Sequence, residues 1–102
     1  MITAIVLIST EIGRTPEVAQ ALAQTPGVAE AYSVAGDWDL VAIVKVKDYE
    51  EMATLVPERL SAISGITGTT TLMAFRRYSD KLMESMWEIG FGDVTEETEE
   101  LP

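Results

Sequence analysis

Two short stretches of this chain are apolar on both of their alternations, and that limits its folds more than any other feature. Ile2 to Ser9 (ITAIVLIS) and Leu40 to Val46 (LVAIVKV) are β-branched runs of strand length. In the first, Ile2, Ala4, Val6 and Ile8 fall on one side while Ile5 and Leu7 fall on the other. In the second, Leu40, Ala42, Val44 and Val46 oppose Val41 and Ile43. A sheet with one wet face should alternate apolar and polar residues. These strands do not, so both faces of their sheet need cover. Helices can cover one face. A second subunit, a further helix, or both must cover the other, and an oligomer is expected.

The segments between these strands complete a simple order. Thr15-Pro16-Glu17 reads as a helix start, with Thr as N-cap, Pro at the first helical position and an acid in the first turn. Val18, Ala21, Leu22 and Thr25 follow at helical spacing until Pro26-Gly27. Val28 to Ala35 reads as a strand, Gly36-Asp37-Trp38-Asp39 as a turn, and the Leu40 run as the return strand of a hairpin. Asp48 caps a second helix, with Glu51 at capping-box spacing. Tyr49, Met52, Ala53, Val56, Leu60 and Ile63 form its apolar stripe, and Ser64-Gly65 ends it. Pro57 removes one backbone donor inside it, which predicts a bend or a break near Val56. Ile66 to Tyr78 reads as a long, Thr-rich last strand.

The core order is therefore β-α-β-β-α-β. With right-handed crossovers it closes into a ferredoxin-like α+β sandwich: a four-stranded antiparallel sheet with two helices on one face. The expected boundaries are a domain over 1–78, a C-terminal helical extension over 79–92 starting at Ser79, and an acidic tail over 93–102. The 102 residues fit one domain with a thin core.

Composition narrows the function classes. There is no Cys and no His, so the commonest metal ligands and the commonest general base are both missing. No catalytic residue, metal site or cofactor is expected. A formal charge of -10 opposes direct binding to nucleic acid or anionic lipid, although half of it lies in the last ten residues. No stretch has the length of a membrane span, and the expected location is the cytoplasm.

The hairpin Ala35-Gly36-Asp37-Trp38-Asp39-Leu40 is the most informative stretch. Turn amides can hold a carboxylate, Asp37 or Asp39 can pair with an ammonium, and Trp38 offers an apolar wall. That inventory suits a zwitterionic amino acid. A plain turn with a surface Trp is the competing reading. Thr69 and Thr71 lie on one alternation of the last strand and could add hydroxyls, whereas Thr70 points the other way.

Taken together, the segment from Val34 to Leu40 (VAGDWDL), then Asp48, then Gly65-Ile66 running into Thr69-Thr70-Thr71 resembles the sensing domain of the leucine-responsive/asparagine-responsive (Lrp/AsnC) transcription regulators. That domain shows a Gly-Asp-x-Asp-Leu-like hairpin, an Asp opening its second helix and a Thr-rich last strand. The resemblance covers about residues 2–76 and implies a stand-alone RAM-type module without the family's helix-turn-helix. It implies sheet-to-sheet dimers that assemble into octamers or larger rings. It also implies a small amino-acid effector held between subunits by Gly36, Asp37, Trp38, Asp39, Thr69 and Thr71, and full-length Lrp/AsnC regulators as further partners. Two other functions fit the same fold: a dimeric ferredoxin-like enzyme of monooxygenase or cyclase type, and a purely structural assembly protein. The missing acid-base pair argues against the enzyme.

Overall fold

A computed structural model describes residues 1–80 of the chain. The predicted C-terminal helix and acidic tail lie beyond them, apart from the first two residues of that helix. The elements run β1 (Ile2–Thr10), α1 (Thr15–Ala23), β2 (Val28–Ser33), β3 (Leu40–Val46), α2 (Tyr49–Thr54), a π-helical segment (Leu55–Leu60) and β4 (Ile66–Met73). The four strands form one antiparallel sheet in the order β2-β3-β1-β4. The two doubly apolar strands are thus the central pair, as their patterning requires.

Register separates the two faces. Ala4, Val6 and Ile8 pair with Val44, Ala42 and Leu40, and all six are fully buried. They pack against Val18 and Leu22 of α1 and against Met52, Leu55 and Leu60 of the second helical stretch, which forms the single core. Both helices therefore cover one face. On the other face Ile5 and Leu7 pair with Ile43 and Val41, and all four remain half-exposed. Tyr32 and Leu72 flank them, 51% and 48% exposed.

The helix ends follow from local chemistry. Asp48 is extended, and its Oδ1 accepts the Glu51 amide at 2.9 Å. Glu51 returns the bond to the Lys47 amide at 3.1 Å, one residue before the usual partner of a capping box. The helix α1 starts one residue earlier than the sequence suggests. Arg14 occupies its N-cap without a side-chain capping bond, and the Thr15 hydroxyl instead meets the Thr10 hydroxyl at 2.7 Å. The guanidinium of Arg14 sits between Glu11 (3.0 Å) and Glu17 (2.7 Å).

Pro57 does more than bend its helix. An α-turn there would press the proline ring on the carbonyl four residues back, and widening to a π-turn relieves that clash. Leu55, three residues after Met52 on the same helical face, is 1% exposed although the predicted stripe left it out, while Tyr49 is 64% exposed. Gly65 closes the segment at φ 101°. A Cβ there would lie 2.8 Å from Val18 Cγ2, so both backbone and packing require glycine.

Candidate ligand-binding site

The strand ends that carry the hairpin also carry a chain of polar side-chain bonds through Ser9, Thr10 and Asp39. The hairpin loop spans Val34 to Asp39 between β2 and β3, and the Val34 amide donates to the Asp39 carbonyl at 3.1 Å. The Asp39 amide donates to Ile8 O at 2.9 Å. The Asp39 carboxylate accepts the Thr10 amide through Oδ2 at 2.9 Å, with the Thr10 hydroxyl at 3.4 Å from the same oxygen. Asp39 therefore ties the hairpin to the last residue of β1. Through Thr10 and Thr15 the tie continues into α1. Its Oδ1 accepts no bond from a described residue.

The rest of the loop is differently placed. Gly36 stands at φ 121° with no atom near the position of a Cβ, so backbone conformation alone requires glycine there. Asp37 is exposed and forms no side-chain bond with a described residue. Trp38 is half-buried. One free carboxylate, one half-covered indole and a turn with positive φ thus share one rim of the sheet.

The two threonines sit at the same end but not beside the loop. Thr69 and Thr71 pair with Ile8 and Val6, which places them on the helix-facing side of edge strand β4. Thr69 is exposed and Thr71 half-buried. Strand β1 separates β4 from β3, so Thr69 is about 10 Å from the base of the hairpin, two strand spacings. Within one subunit the loop and the threonines do not touch through the sheet, and a ligand bridging them would need the second subunit that the expected site invokes. Sequence reasoning missed Ser9, Thr10 and Thr67. Ser9 and Thr67 share a hydroxyl-to-hydroxyl bond of 3.0 Å on the opposite face at this end. The clue was a hydroxyl at each junction between elements.

Three titratable groups among the described residues are displaced from their ordinary ranges, and for Arg14 the hydrogen bonds to Glu17 and Glu11 raise the guanidinium further. Hydrogen bonding to Arg14 lowers the Glu17 carboxyl below the usual glutamate range. On the half-exposed sheet face, the Glu30 carboxylate beside Tyr32 raises the phenol. Among the described residues no group of acids, His or Cys is arranged to hold a metal ion. No described helix is long and apolar enough to cross a membrane.

A family model for the Lrp/AsnC ligand binding domain matches residues 3–83. The chain belongs to this family. Among curated Lrp/AsnC-type relatives, an HTH-type transcriptional regulator of Pyrococcus furiosus is 41% identical over 59 residues, which is 58% of this chain and 39% of that protein. The regulator LysM of Saccharolobus solfataricus is 32% identical over 78 residues, 76% of this chain and 54% of LysM. The chain therefore spans about half or less of the regulators it matches. A Thermus thermophilus protein of solved structure is 46% identical with a TM-score of 0.73, covering 78% of this chain and 99% of its own. A Neisseria meningitidis regulator solved in complex with L-Met shares the fold, with a TM-score of 0.69 at 15% identity over 76% of this chain and 52% of that one. Homocitrate synthase of Sulfurisphaera tokodaii matches at 30% identity over 63 residues, 62% of this chain but only 14% of the enzyme. So short a share carries none of that enzyme's chemistry across.

Proposed function

We propose that this Lrp/AsnC domain is a non-enzymatic amino-acid sensor and oligomerisation module of the cytoplasm, which binds a small amino acid between subunits and modulates full-length regulators. The observation that carries the reading is the division of labour in the hairpin of a chain that belongs to a ligand-binding family. Asp39 is spent on fixing the loop, which leaves Asp37 exposed beside a half-buried Trp38. In this reading the amides around Gly36 take the ligand carboxylate and Asp37 takes its ammonium, with Asp39 Oδ1 as a second acceptor. Trp38 supplies shape, and Thr69 and Thr71 reach the ligand from a neighbouring subunit. The Neisseria meningitidis protein supports it to the extent that a domain of this fold was solved with an amino acid.

Oligomerisation is supported by the half-exposed face of Ile5, Leu7, Val41 and Ile43, a central apolar patch that helices leave open. Sheet-to-sheet pairing would bury it, and dimers so formed would assemble into octamers or larger rings. Calorimetric titration with the twenty amino acids tests the sensor directly. Saturable binding of at least one is expected, and heat from none of them at millimolar concentration would overturn it.

A further inference from the structure

The half-exposed face of the sheet carries two opposite charges, and register fixes where they stand. Glu30 pairs with Ile43, Ile43 with Ile5 and Ile5 with Leu72, so these four form one row across all four strands. Lys45 lies two residues along β3 from Ile43, on the same face, opposite Thr3. The other residues that the strands present on this face are apolar, hydroxyl-bearing or glycine. Glu30 is thus the one acid and Lys45 the one base on the strands of this face, and both are exposed.

The two charges are diagonal neighbours on adjacent strands, about 7–8 Å apart. They do not pair within the subunit: among the described residues the ion pairs are those of Arg14 with Glu11 and Glu17. The Glu30 carboxylate stands instead beside the Tyr32 phenol. Lys45 borders a groove of about 520 Å³ that also bears Arg76 and is lined by no described carboxylate. A second sheet laid over Ile5 and Ile43 must also cover Glu30, beside Ile43, and Lys45, two residues from it. A lone charge covered in this way loses water and gains nothing. An orientation that sets acid against base offsets that loss, and other orientations do not. Strand spacing of about 4.8 Å and a rise of about 3.4 Å per residue locate that orientation. The diagonal equidistant from Glu30 and Lys45 passes midway between Ile5 and Ile43, so a two-fold axis along it exchanges the two charges and keeps the apolar patch at its centre. Stacked sheets lie about 10 Å apart, a gap that one Lys and one Glu side chain can span between them.

We propose that two reciprocal ion pairs orient the dimer: Glu30 of each subunit meets Lys45 of a second copy of this chain, across a two-fold axis between Ile5 and Ile43. The pairing rests on the sheet-to-sheet dimer proposed above and adds to it the orientation and the residues that select it. The apolar patch supplies the attraction, and the two charges reject the orientations in which each would be covered alone.

The test is sedimentation velocity of the 102-residue chain over a range of concentrations, for the parent, for Glu30→Lys, for Lys45→Glu and for a one-to-one mixture of the two variants. Both positions are exposed in the subunit, so each variant should keep its fold. Alone, each variant sets like charges against each other twice across the axis, and its dimer dissociation constant should rise at least about 10-fold. In the mixture every such contact again joins an acid to a base, and association should return to within about 3-fold of the parent. A change in net charge alone would act differently on a chain of charge -10: it would tighten Glu30→Lys, loosen Lys45→Glu and leave the mixture between them. That pattern would overturn the ion pairs. So would single variants that dimerise like the parent, or a mixture no tighter than its components. In each of these cases the dimer itself stands. A parent chain that stays monomeric at every concentration overturns the dimer, and the ion pairs with it.

Discussion

Removing the Asp39 carboxylate should cost stability, whereas removing that of Asp37 should cost only ligand binding. In Asp39→Ala the Thr10 amide loses its acceptor at 2.9 Å, and the Thr10 hydroxyl loses a neighbour at 3.4 Å. A hydrogen bond to a charged group contributes about 1.5–3 kcal/mol, and a buried orphan donor costs a similar amount. Asp39 and Thr10 are only half-buried, so water can partly replace the lost acceptor. A net cost of about 1–2 kcal/mol follows. For a domain of this size that corresponds to a fall in melting temperature of roughly 5–15 °C. Asp39→Asn keeps a neutral acceptor and should lose about half as much. Asp37→Ala removes no bond to a described residue and should stay within about 0.5 kcal/mol of the parent. Thermal unfolding followed by circular dichroism measures all three, at one protein concentration because subunit association also shifts the midpoint. An Asp39→Ala protein as stable as the parent, or an Asp37→Ala protein equally destabilised, would refute the assignment of the two aspartates to different tasks.

Three further outcomes follow from the same geometry. Ile43→Asp puts a charge on the half-exposed face and should yield folded monomers by light scattering, whereas Val44→Asp buries an unpaired charge among the helices and should unfold the chain; a folded Val44→Asp variant would contradict the register. The Glu17 carboxyl should titrate below the ordinary glutamate range by carbon NMR and return to it in Arg14→Gln. Because its folded value is depressed, the contribution of the pair is present at neutral pH and fades as pH falls through that lowered value. The 102-residue chain should show no tight, steeply salt-dependent binding to duplex DNA at physiological salt in a fluorescence anisotropy titration.

How much was legible in the sequence depended on whether the deciding contact was local. The central strands, the Asp48 cap and the Gly65 stop are set by residues within a few positions of each other, and each stands where patterning places it. The end of β4 is not local. Its ladder with β1 runs out as β1 begins, the last bond being the Ala74 amide to Thr3 O, so β4 ends at Met73 and residues 75–78 pair with no strand among the described residues despite their strand-like composition. In the second helical stretch the widening to a π-turn around Pro57 was not legible beyond a bend or break, and Leu55, which helical spacing from Met52 does include, is missing from the predicted stripe. Within the candidate site, the type of residue at the hairpin was legible and its task was not. Asp37 and Asp39 look alike in a turn motif, and only the long-range approach of Thr10 distinguishes them. The facing of Thr69 and Thr71 followed from alternation, but their separation from the loop by β1 depends on strand order.

The location of the amino-acid site is tested most directly by amide chemical-shift mapping of the deuterated chain, titrated with whichever amino acid binds calorimetrically. The largest shifts are expected on Gly36, Asp37, Trp38 and Asp39, with Thr69 and Thr71 following at the same mid-point. Lys45, Val46 and Lys47, at the far end of the sheet, should stay still. Shifts concentrated at that far end, or a hairpin that does not respond to a bound amino acid, would contradict the proposed site.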